Sequence, residues 1–534
     1  MKFAMPMVKD FVPKAVRPWL YVVMALCFQV SAARYLGALN EIIGATSQMR
    51  EDVLMCLYCN LAGMALWFPM LFRMKFRFTN KTLLVAASLT VLVTNLLIGY
   101  VTWLPLLWLL CFIEGIAKIQ GTFECMSNIQ LWMTPKRDMT IFFPLLHIVI
   151  LTSMNLQDFM SAYFGMLGDW RLMHWFVAGV HCVALLFLLT CVRHFRFMRP
   201  LPLYGIDWTS MALWAALLVQ VAYVLNYGDW YAWFNHDAVW YLTGSILITF
   251  ALILHRMTHV RHPYINPLVF TGFRYVKQIL VLVCFVECLF GTEHILEEIY
   301  LEEVMHYSTI VNATLCAPAC VGCVCGCLFS LFWLQKVMRM SYIRLGIIGS
   351  CMLLVYMAMM YLLVSPAVSI EMLYLPLFCR GFAYTTLSIV FFCSLHDVMD
   401  FNHFFQGLGV FNMLHMLVGG CLGCAVYAKM IGWYVADGFS RYTSGALWLH
   451  NSSAIGSPSI TDEMLLVGVK AVYGWTCYGC VFLILGFLLF DSPIRRHRSY
   501  MLPWRVYRAQ NEAYMCRSAK NAVIGLCFSV LSAT

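Results

Sequence analysis

Charge is scarce in this sequence. Asp, Glu, Lys and Arg make up 11% of its 534 residues, against 62% for hydrophobic residues, whereas a soluble domain carries about 25% charged residues. This balance excludes an ordinary soluble domain. The sequence also lacks a Gly-x-x-x-x-Gly-Lys-[Ser/Thr] segment and any His-rich or nucleophile motif, so nucleotide-driven transport and enzyme activity are not predicted.

Long apolar segments fill most of the chain. Fourteen of them are separated by short loops, and a helix of about 20 apolar residues crosses the hydrocarbon layer of a bilayer. Helices are stable in the hydrocarbon layer because they satisfy their own backbone hydrogen bonds. The sequence therefore predicts an all-α polytopic membrane protein with the lipid bilayer as its surroundings. The predicted spans are 19–41, 53–73, 82–101, 104–133, 139–166, 171–192, 207–227, 237–255, 270–290, 307–335, 343–364, 370–396, 404–431 and 465–490.

Basic residues concentrate on one set of alternate loops. The other set holds only Arg50, Arg171 and Arg441, so the positive-inside rule places both termini in the cytoplasm. The net charge of +9 then faces anionic lipid headgroups, and no nucleic-acid partner is predicted. Most of the 35 basic residues lie in the stretches 1–17, 73–81, 136–137, 193–199, 256–261, 336–344 and 495–520.

The loops on the opposite side are acidic or polar. Residues 293–303 hold five glutamates and no Lys or Arg, and residues 432–464 are rich in Gly and Ser. We expect both stretches to be loops outside the bilayer, and the longer one to be mobile.

Two short sequence repeats divide the chain. Glu114-Gly115-Ile116-Ala117 is echoed by Arg380-Gly381-Phe382-Ala383, and the stretch 69–81 is echoed by 326–344. Repeats of this kind create a substrate site between the repeated halves, near the bilayer midplane. The predicted domains are an N-terminal six-helix bundle (1–206), two inserted helices (207–262), a C-terminal six-helix bundle (263–490) and a basic cytoplasmic tail (491–534).

Several charged residues lie inside predicted spans. A charge at mid-bilayer costs about 2.5–3.5 kcal/mol on the lenient insertion scale, so such residues usually face a cavity or a partner. One interpretation is a polar cavity whose carboxylates load and release protons; the other is a fixed, neutralised pair, as Glu114 and Lys118 would form at helical i, i+4 spacing. The candidate substrate-contacting and proton-coupling residues are Arg34, Glu114, Lys118, Glu124, Asp158, Lys277, Glu287 and Arg380.

Cysteines form a stripe on the tenth span. Cys316, Cys320, Cys323 and Cys327 fall at i, i+4, i+7 and i+11, on one helix face. A metal or redox role is the alternative interpretation, but one straight helix cannot surround an ion tetrahedrally. Small residues let membrane helices approach closely, so the stripe predicts helix packing, and no cofactor is predicted.

Five motifs carry a family resemblance. They are Glu114-Gly115 with its counterpart Arg380-Gly381, Trp170-Arg171, Asp207-Trp208, the stretch from Asn226 to Phe234, and the stretch from His262 to Phe270. In this order they resemble the major facilitator superfamily, specifically the 14-helix drug/proton antiporters of the EmrB/QacA type. The resemblance covers about residues 30–490. It implies two six-helix bundles with two extra central helices.

The sequence departs from that family at its coupling motifs. Ser31 stands where the family has an Asp, with Arg34 one turn later, and the antiporter motif Gly-Pro-x-x-Gly-Gly is replaced by residues 157–162. The usual coupling therefore does not carry over intact. Since Arg34 and Asp158 lie on the two spans that are functional in the family, we expect them to pair across the central interface.

The resemblance also implies a function. It implies a secondary transporter of the bacterial inner membrane that exports amphipathic or lipophilic organic compounds by alternating access, with protons as the coupling ion. A periplasmic adaptor follows by analogy only. Two alternatives stay open: uptake or facilitated diffusion of a metabolite on the same fold, and a membrane sensor or enzyme.

Overall fold

The computed structural model is built from long helices. It describes residues 5, 7–30, 36–134, 138–196, 203, 205–272, 275–337, 342–448 and 458–489. Within these residues, 13 helices are long and apolar enough to cross a membrane, and a shorter apolar helix precedes them. In chain order they are α1 (Arg17–Val30), α2 (Arg50–Arg77), α3 (Asn80–Ile98), α4 (Leu104–Met133), α5 (Met139–Met166), α6 (Arg171–Cys191), α7 (Trp208–Tyr227), α8 (Asp237–His259), α9 (Val276–Val304), α10 (Thr309–Gln335), α11 (Tyr342–Leu363), α12 (Ile370–Val398), α13 (His403–Arg441) and α14 (Thr461–Leu489).

Each predicted span overlaps one of these helices. The first differs most from its prediction, because α1 has 14 residues and a separate short helix, Leu39–Thr46, follows it. The predicted tail, 491–534, lies outside the described residues. The all-α, multi-pass membrane architecture is confirmed.

Two predicted loops are wrong. The acidic stretch 293–303 belongs to the last turns of α9, which run as a π-helix from Ile295 to Val304. Leu296 and Leu301 are fully buried there, so apolar packing continues the helix despite the glutamates. The predicted mobile loop 432–464 is helical as far as Trp448, and helix resumes at Pro458.

The two sequence repeats correspond to the same kind of helix contact. A side chain at Gly115 on α4 would overlap the backbone carbonyl oxygen of Asn60 on α2. A side chain at Gly381 on α12 would overlap the carbonyl oxygen of Ala319 on α10. Glycine permits this close approach of two helix backbones. The repeat therefore marks α2–α4 and α10–α12 as equivalent close pairs.

The cysteine stripe of α10 lies beside one of these contacts. Gly322 packs on the backbone of Phe378 in α12, and Cys323 and Cys327 are buried. These contacts agree with the predicted packing role.

The two inserted helices pack on each other and attach to α2. Gln220 of α7 donates to Ser245 of α8 at 3.0 Å. At the other contact, the Tyr227 hydroxyl donates to the Asp52 carboxylate of α2, and Asn226 donates to the backbone carbonyl of Glu51 at 2.7 Å. The pair is therefore anchored through α7.

The two ends of the molecule differ in charge. The acidic end of the molecule holds the start of α2 and the last turns of α9, and the basic end holds the α2–α3 connection around Arg77 and Lys81. The N-terminal helices are α1–α6, and the C-terminal helices are α9–α14.

Candidate functional site

A cavity of about 360 Å³ lies between the N-terminal and the C-terminal helices. Helices α2, α4 and α5 supply most of one wall, and α9, α12 and α13 supply most of the other. This is the position expected for a substrate site between two repeated halves.

The cavity has a charged part. Lys118 and Asp158 line the N-terminal wall, and Glu287 and Arg380 line the C-terminal wall. Lys118, Glu287 and Arg380 are at most 6% exposed. The structure therefore brings four of the predicted site residues to one space, from four different helices.

The cavity also has an aromatic part. Towards the basic end its walls change from charged to aromatic side chains, so the space combines polar recognition with a large apolar surface. Eight phenylalanines line this part of the cavity: Phe68, Phe123, Phe142, Phe143, Phe392, Phe404, Phe405 and Phe411.

Arg380 has two carboxylate partners on a neighbouring helix. Its guanidinium lies 3.4 Å from Glu293 and 3.6 Å from Glu297. Both glutamates lie on the helical extension of α9, which the sequence analysis assigned to a loop. Their two carboxylates offset the cost of burying the arginine charge.

Glu287 has a histidine partner. The Nδ1 atom of His415 on α13 lies 2.7 Å from its Oε2 atom. The Glu287 side chain is 3% exposed and the His415 side chain 30% exposed, and both residues line the cavity.

Glu114 lies behind the cavity wall. It is fully buried and accepts a hydrogen bond from Asn95 Nδ2 at 2.6 Å. The Asn95 oxygen lies 3.0 Å from Nδ1 of His174. Lys118 acts electrostatically on the Glu114 carboxylate. Glu114 is thus held by Asn95, and the fixed pair of Glu114 with Lys118 stays a prediction.

Glu124 forms a different buried cluster. Lys75 lies 3.3 Å from its carboxylate and donates to Ser127 at 2.5 Å. The assignment of Lys75 to a solvated basic loop is therefore wrong. Its side chain is 5% exposed because the carboxylate and the hydroxyl replace its water.

The last two candidate site residues are Lys277 and Arg34. Lys277 is exposed near the start of α9 and does not line the cavity. Arg34, and with it the predicted Arg34–Asp158 pair, lies outside the described residues.

Polar contacts connect the two helix groups at the acidic end. Arg50, the first residue of α2, forms an ion pair with Glu298 of α9. Asn40 of the short helix after α1 donates to Glu302 of α9. The glutamates of α9 thus hold the N-terminal helices on this side of the cavity.

Aromatic contacts connect the same groups at the basic end. The ring centroids of Phe143 and Phe392 are 5.6 Å apart, and those of Phe72 and Phe405 are 4.2 Å apart. Edge-on contacts of this kind are worth about 0.5–1.5 kcal/mol each beyond area burial, so the basic end closes through apolar packing.

Sequence reasoning missed three residues of the site: Glu293, Glu297 and His415. The i, i+4 spacing of the two glutamates, together with a buried arginine in need of counter-ions, could have indicated the first two. His415 carried no comparable signal, because its partner lies 128 residues away in the sequence. Within the described chain, no group of three or more His, Cys, Asp or Glu side chains is arranged to hold a metal ion.

Comparison with known proteins identifies the fold. No family model and no curated protein sequence matches the chain. Among solved structures, a point variant of the nucleoside transporter NupG matches at 14% identity and a TM-score of 0.54, over 89% of this chain and 99% of that chain. The human organic anion transporter MFSD10 matches at 9% and 0.53, over 89% of this chain and 100% of that chain.

A D-xylose-proton symporter also matches, at 13% identity and a TM-score of 0.51, over 85% of this chain and 96% of that chain. Since these transporters share the major facilitator architecture, the chain has the major facilitator fold.

Proposed function

We propose that this protein is a secondary transporter that moves an amphipathic organic compound, linked to protons, by alternating access. The observation that carries the proposal is the central cavity, whose charged and aromatic parts lie between two groups of helices. Contacts at both ends join these same groups, by ion pairs at one end and by rings at the other. Breaking one set while keeping the other exposes the cavity to one side at a time.

The lead direction is export, as the resemblance to the drug/proton antiporters implies. In this interpretation both termini lie in the cytoplasm of a bacterial cell, and the acidic end faces outward. The adaptor expected by analogy is not required for transport across this membrane.

Uptake is the second candidate. The structural neighbours support it, because one is a proton symporter for D-xylose and another transports nucleosides. The cavity accommodates either direction, since direction is set by the order of binding and release steps. Flux measured separately in inside-out and right-side-out vesicles decides between export and uptake.

Counterflow in proteoliposomes tests the transport proposal. Vesicles are loaded with one of four unlabelled probes (uridine, D-xylose, p-aminohippurate or tetraphenylphosphonium) and diluted into the labelled compound. A carrier gives transient accumulation of label without any gradient of pH. If none of the four gives accumulation above protein-free vesicles, the proposal is contradicted.

Asp158→Asn tests proton coupling. Asp158 lines the cavity, and the substitution keeps its size while removing its ability to exchange a proton. We expect gradient-driven accumulation to fall about tenfold or more per pH unit, since one proton supports about a tenfold ratio per unit, while counterflow persists. Unchanged driven transport removes Asp158 from the coupling mechanism.

A further inference from the structure

We infer that Glu287 and His415 form a proton-binding site of their own, on the wall of the cavity opposite Asp158. The inference rests on the proposed transport function, to which it adds a second proton per cycle. It assigns a role to His415, a residue that the sequence motifs do not indicate.

The geometry of the pair suits one exchangeable proton. The distance of 2.7 Å between His415 Nδ1 and Glu287 Oε2 is that of a strong hydrogen bond. In the tautomer with a proton on Nδ1, this N–H donates to the carboxylate. A second proton binds at Nε2 and converts the contact into an imidazolium–carboxylate ion pair. No bond between heavy atoms changes, and the proton leaves by the same nitrogen.

Access to the pair is asymmetric. Glu287 is almost fully buried, whereas 30% of the His415 side chain is exposed in the wall of the cavity. The histidine therefore meets water or substrate in the cavity, and the carboxylate behind it stabilises the protonated ring. An imidazole is suited to this exchange because its charge changes near neutral pH.

Other ionisable groups surround the pair on each packed helix. The Tyr384 ring of α12 lies 6.4 Å from the His415 ring, and Arg380 on the same helix is held by Glu293 and Glu297. On α7, Tyr227 is bonded to Asp52. Further ionisable groups on these helices are Tyr58 of α2, Cys284 and Cys288 of α9, and Cys421, Cys424 and Tyr427 of α13.

The backbone of α13 connects this site to the other helix group. His415 begins a π-helical segment that ends at Gly423, and π-helices often occur at functional sites. Gly419 of this segment lies against the Glu287 carboxylate, and the carbonyl of Gly420 accepts a hydrogen bond from Tyr58 of α2 at 3.0 Å. A change in attraction between His415 and Glu287 therefore acts directly on a contact between the N-terminal and C-terminal helices.

His415→Gln tests the site through the slope of accumulation against pH gradient. Glutamine keeps a side-chain donor for Glu287 but cannot titrate. With the membrane potential clamped, each coupled proton supports about tenfold accumulation per pH unit. We expect accumulation by the variant to rise about tenfold less per pH unit than accumulation by the wild type, after each is normalised to the counterflow of the same protein at equal pH. An unchanged slope contradicts the inference.

His259→Gln is the matched control. His259 lies exposed near the end of α8, with its ring bonded to the carbonyl of His255 at 2.9 Å, away from the cavity. The slope of accumulation against pH gradient for His259→Gln should equal that of the wild type. An unfolding midpoint of His415→Gln equal to that of the wild type shows that a lowered slope is not a folding defect.

A second measurement does not depend on transport. In ¹⁵N-histidine NMR spectra, the His415 signal is assigned by its loss in His415→Gln. We expect it to change between protonated and neutral forms between about pH 5 and 8, with a midpoint that moves in Glu287→Gln. A ring that keeps one protonation state across this range contradicts the site, even in a protein that transports. Titration in a protein without counterflow supports the site and counts against the transport proposal alone.

Discussion

Arg380 gives the sharpest test of how the cavity tolerates buried charge. Its side chain is 8% exposed and lies 3.4 Å from Glu293 and 3.6 Å from Glu297. At an effective dielectric constant of about 20, each contact is worth about 5 kcal/mol of Coulomb attraction, much of which the desolvation of the arginine cancels. Arg380→Gln removes the cation and leaves two carboxylates facing each other.

The expected loss follows from the exposure of the partners. Breaking a fully buried pair costs about 3–5 kcal/mol, but the Glu293 and Glu297 side chains are 40% and 34% exposed, so water screens them in part. We expect Arg380→Gln to lower the free energy of unfolding by about 2–3 kcal/mol. The assay is reversible unfolding in mixed micelles at increasing denaturing detergent.

Two variants make this result specific. Adding Glu293→Gln to Arg380→Gln removes one of the two carboxylates near the lost cation and should recover part of the loss, as a double-mutant cycle measures. The surface pair Lys429–Asp229, at 3.5 Å with side chains 68% and 51% exposed, is the matched control, and Lys429→Gln should cost about 0–1 kcal/mol. Equal losses in Arg380→Gln and Lys429→Gln would refute the buried-charge argument.

Two further substitutions test packing and closure. Gly381→Ala places a methyl group against a backbone carbonyl of α10 and should lower the free energy of unfolding by about 1–3 kcal/mol in the same assay. In the control Gly244→Ala on α8, the added methyl group meets open space, so the free energy of unfolding should not fall. Equal losses in the two variants would contradict the close contact. Glu298→Gln removes the ion-pair partner of Arg50 at the acidic end. The rate of amide hydrogen exchange in residues 295–304, measured by mass spectrometry, should therefore rise. An unchanged rate means that the ion pair does not hold this end closed.

The spans were predictable because a long apolar segment inside the bilayer must satisfy its own backbone hydrogen bonds, and a helix does so. The α2–α4 and α10–α12 contacts were indicated by the echo of Gly115 in Gly381, since small residues set how closely helices approach. Four of the seven candidate site residues that the structure describes line the cavity, because a charge inside a span needs a polar space.

The errors have physical causes as well. Five glutamates in 293–303 suggested a loop, yet Arg50 and Arg380 neutralise part of this charge and buried leucines continue the helix. Lys75 was predicted to lie in a loop, because a sequence does not show that Glu124 lies within ion-pair distance. The contact between His415 and Glu287 joins helices far apart in the chain, so only the packing of α9 on α13 reveals it.

Distances between the two helix groups, measured at both ends in nanodiscs, test the central claim most directly. Spin labels on genetically encoded side chains at the exposed positions Ser47 and His306 report on the acidic end, and labels at Thr82 and Asp400 report on the basic end. The account predicts two distance populations for each pair, with the acidic end lengthening as the basic end shortens when pH or probe is changed. A single population at both ends under all conditions, or ends that open together, would contradict alternating access around this cavity.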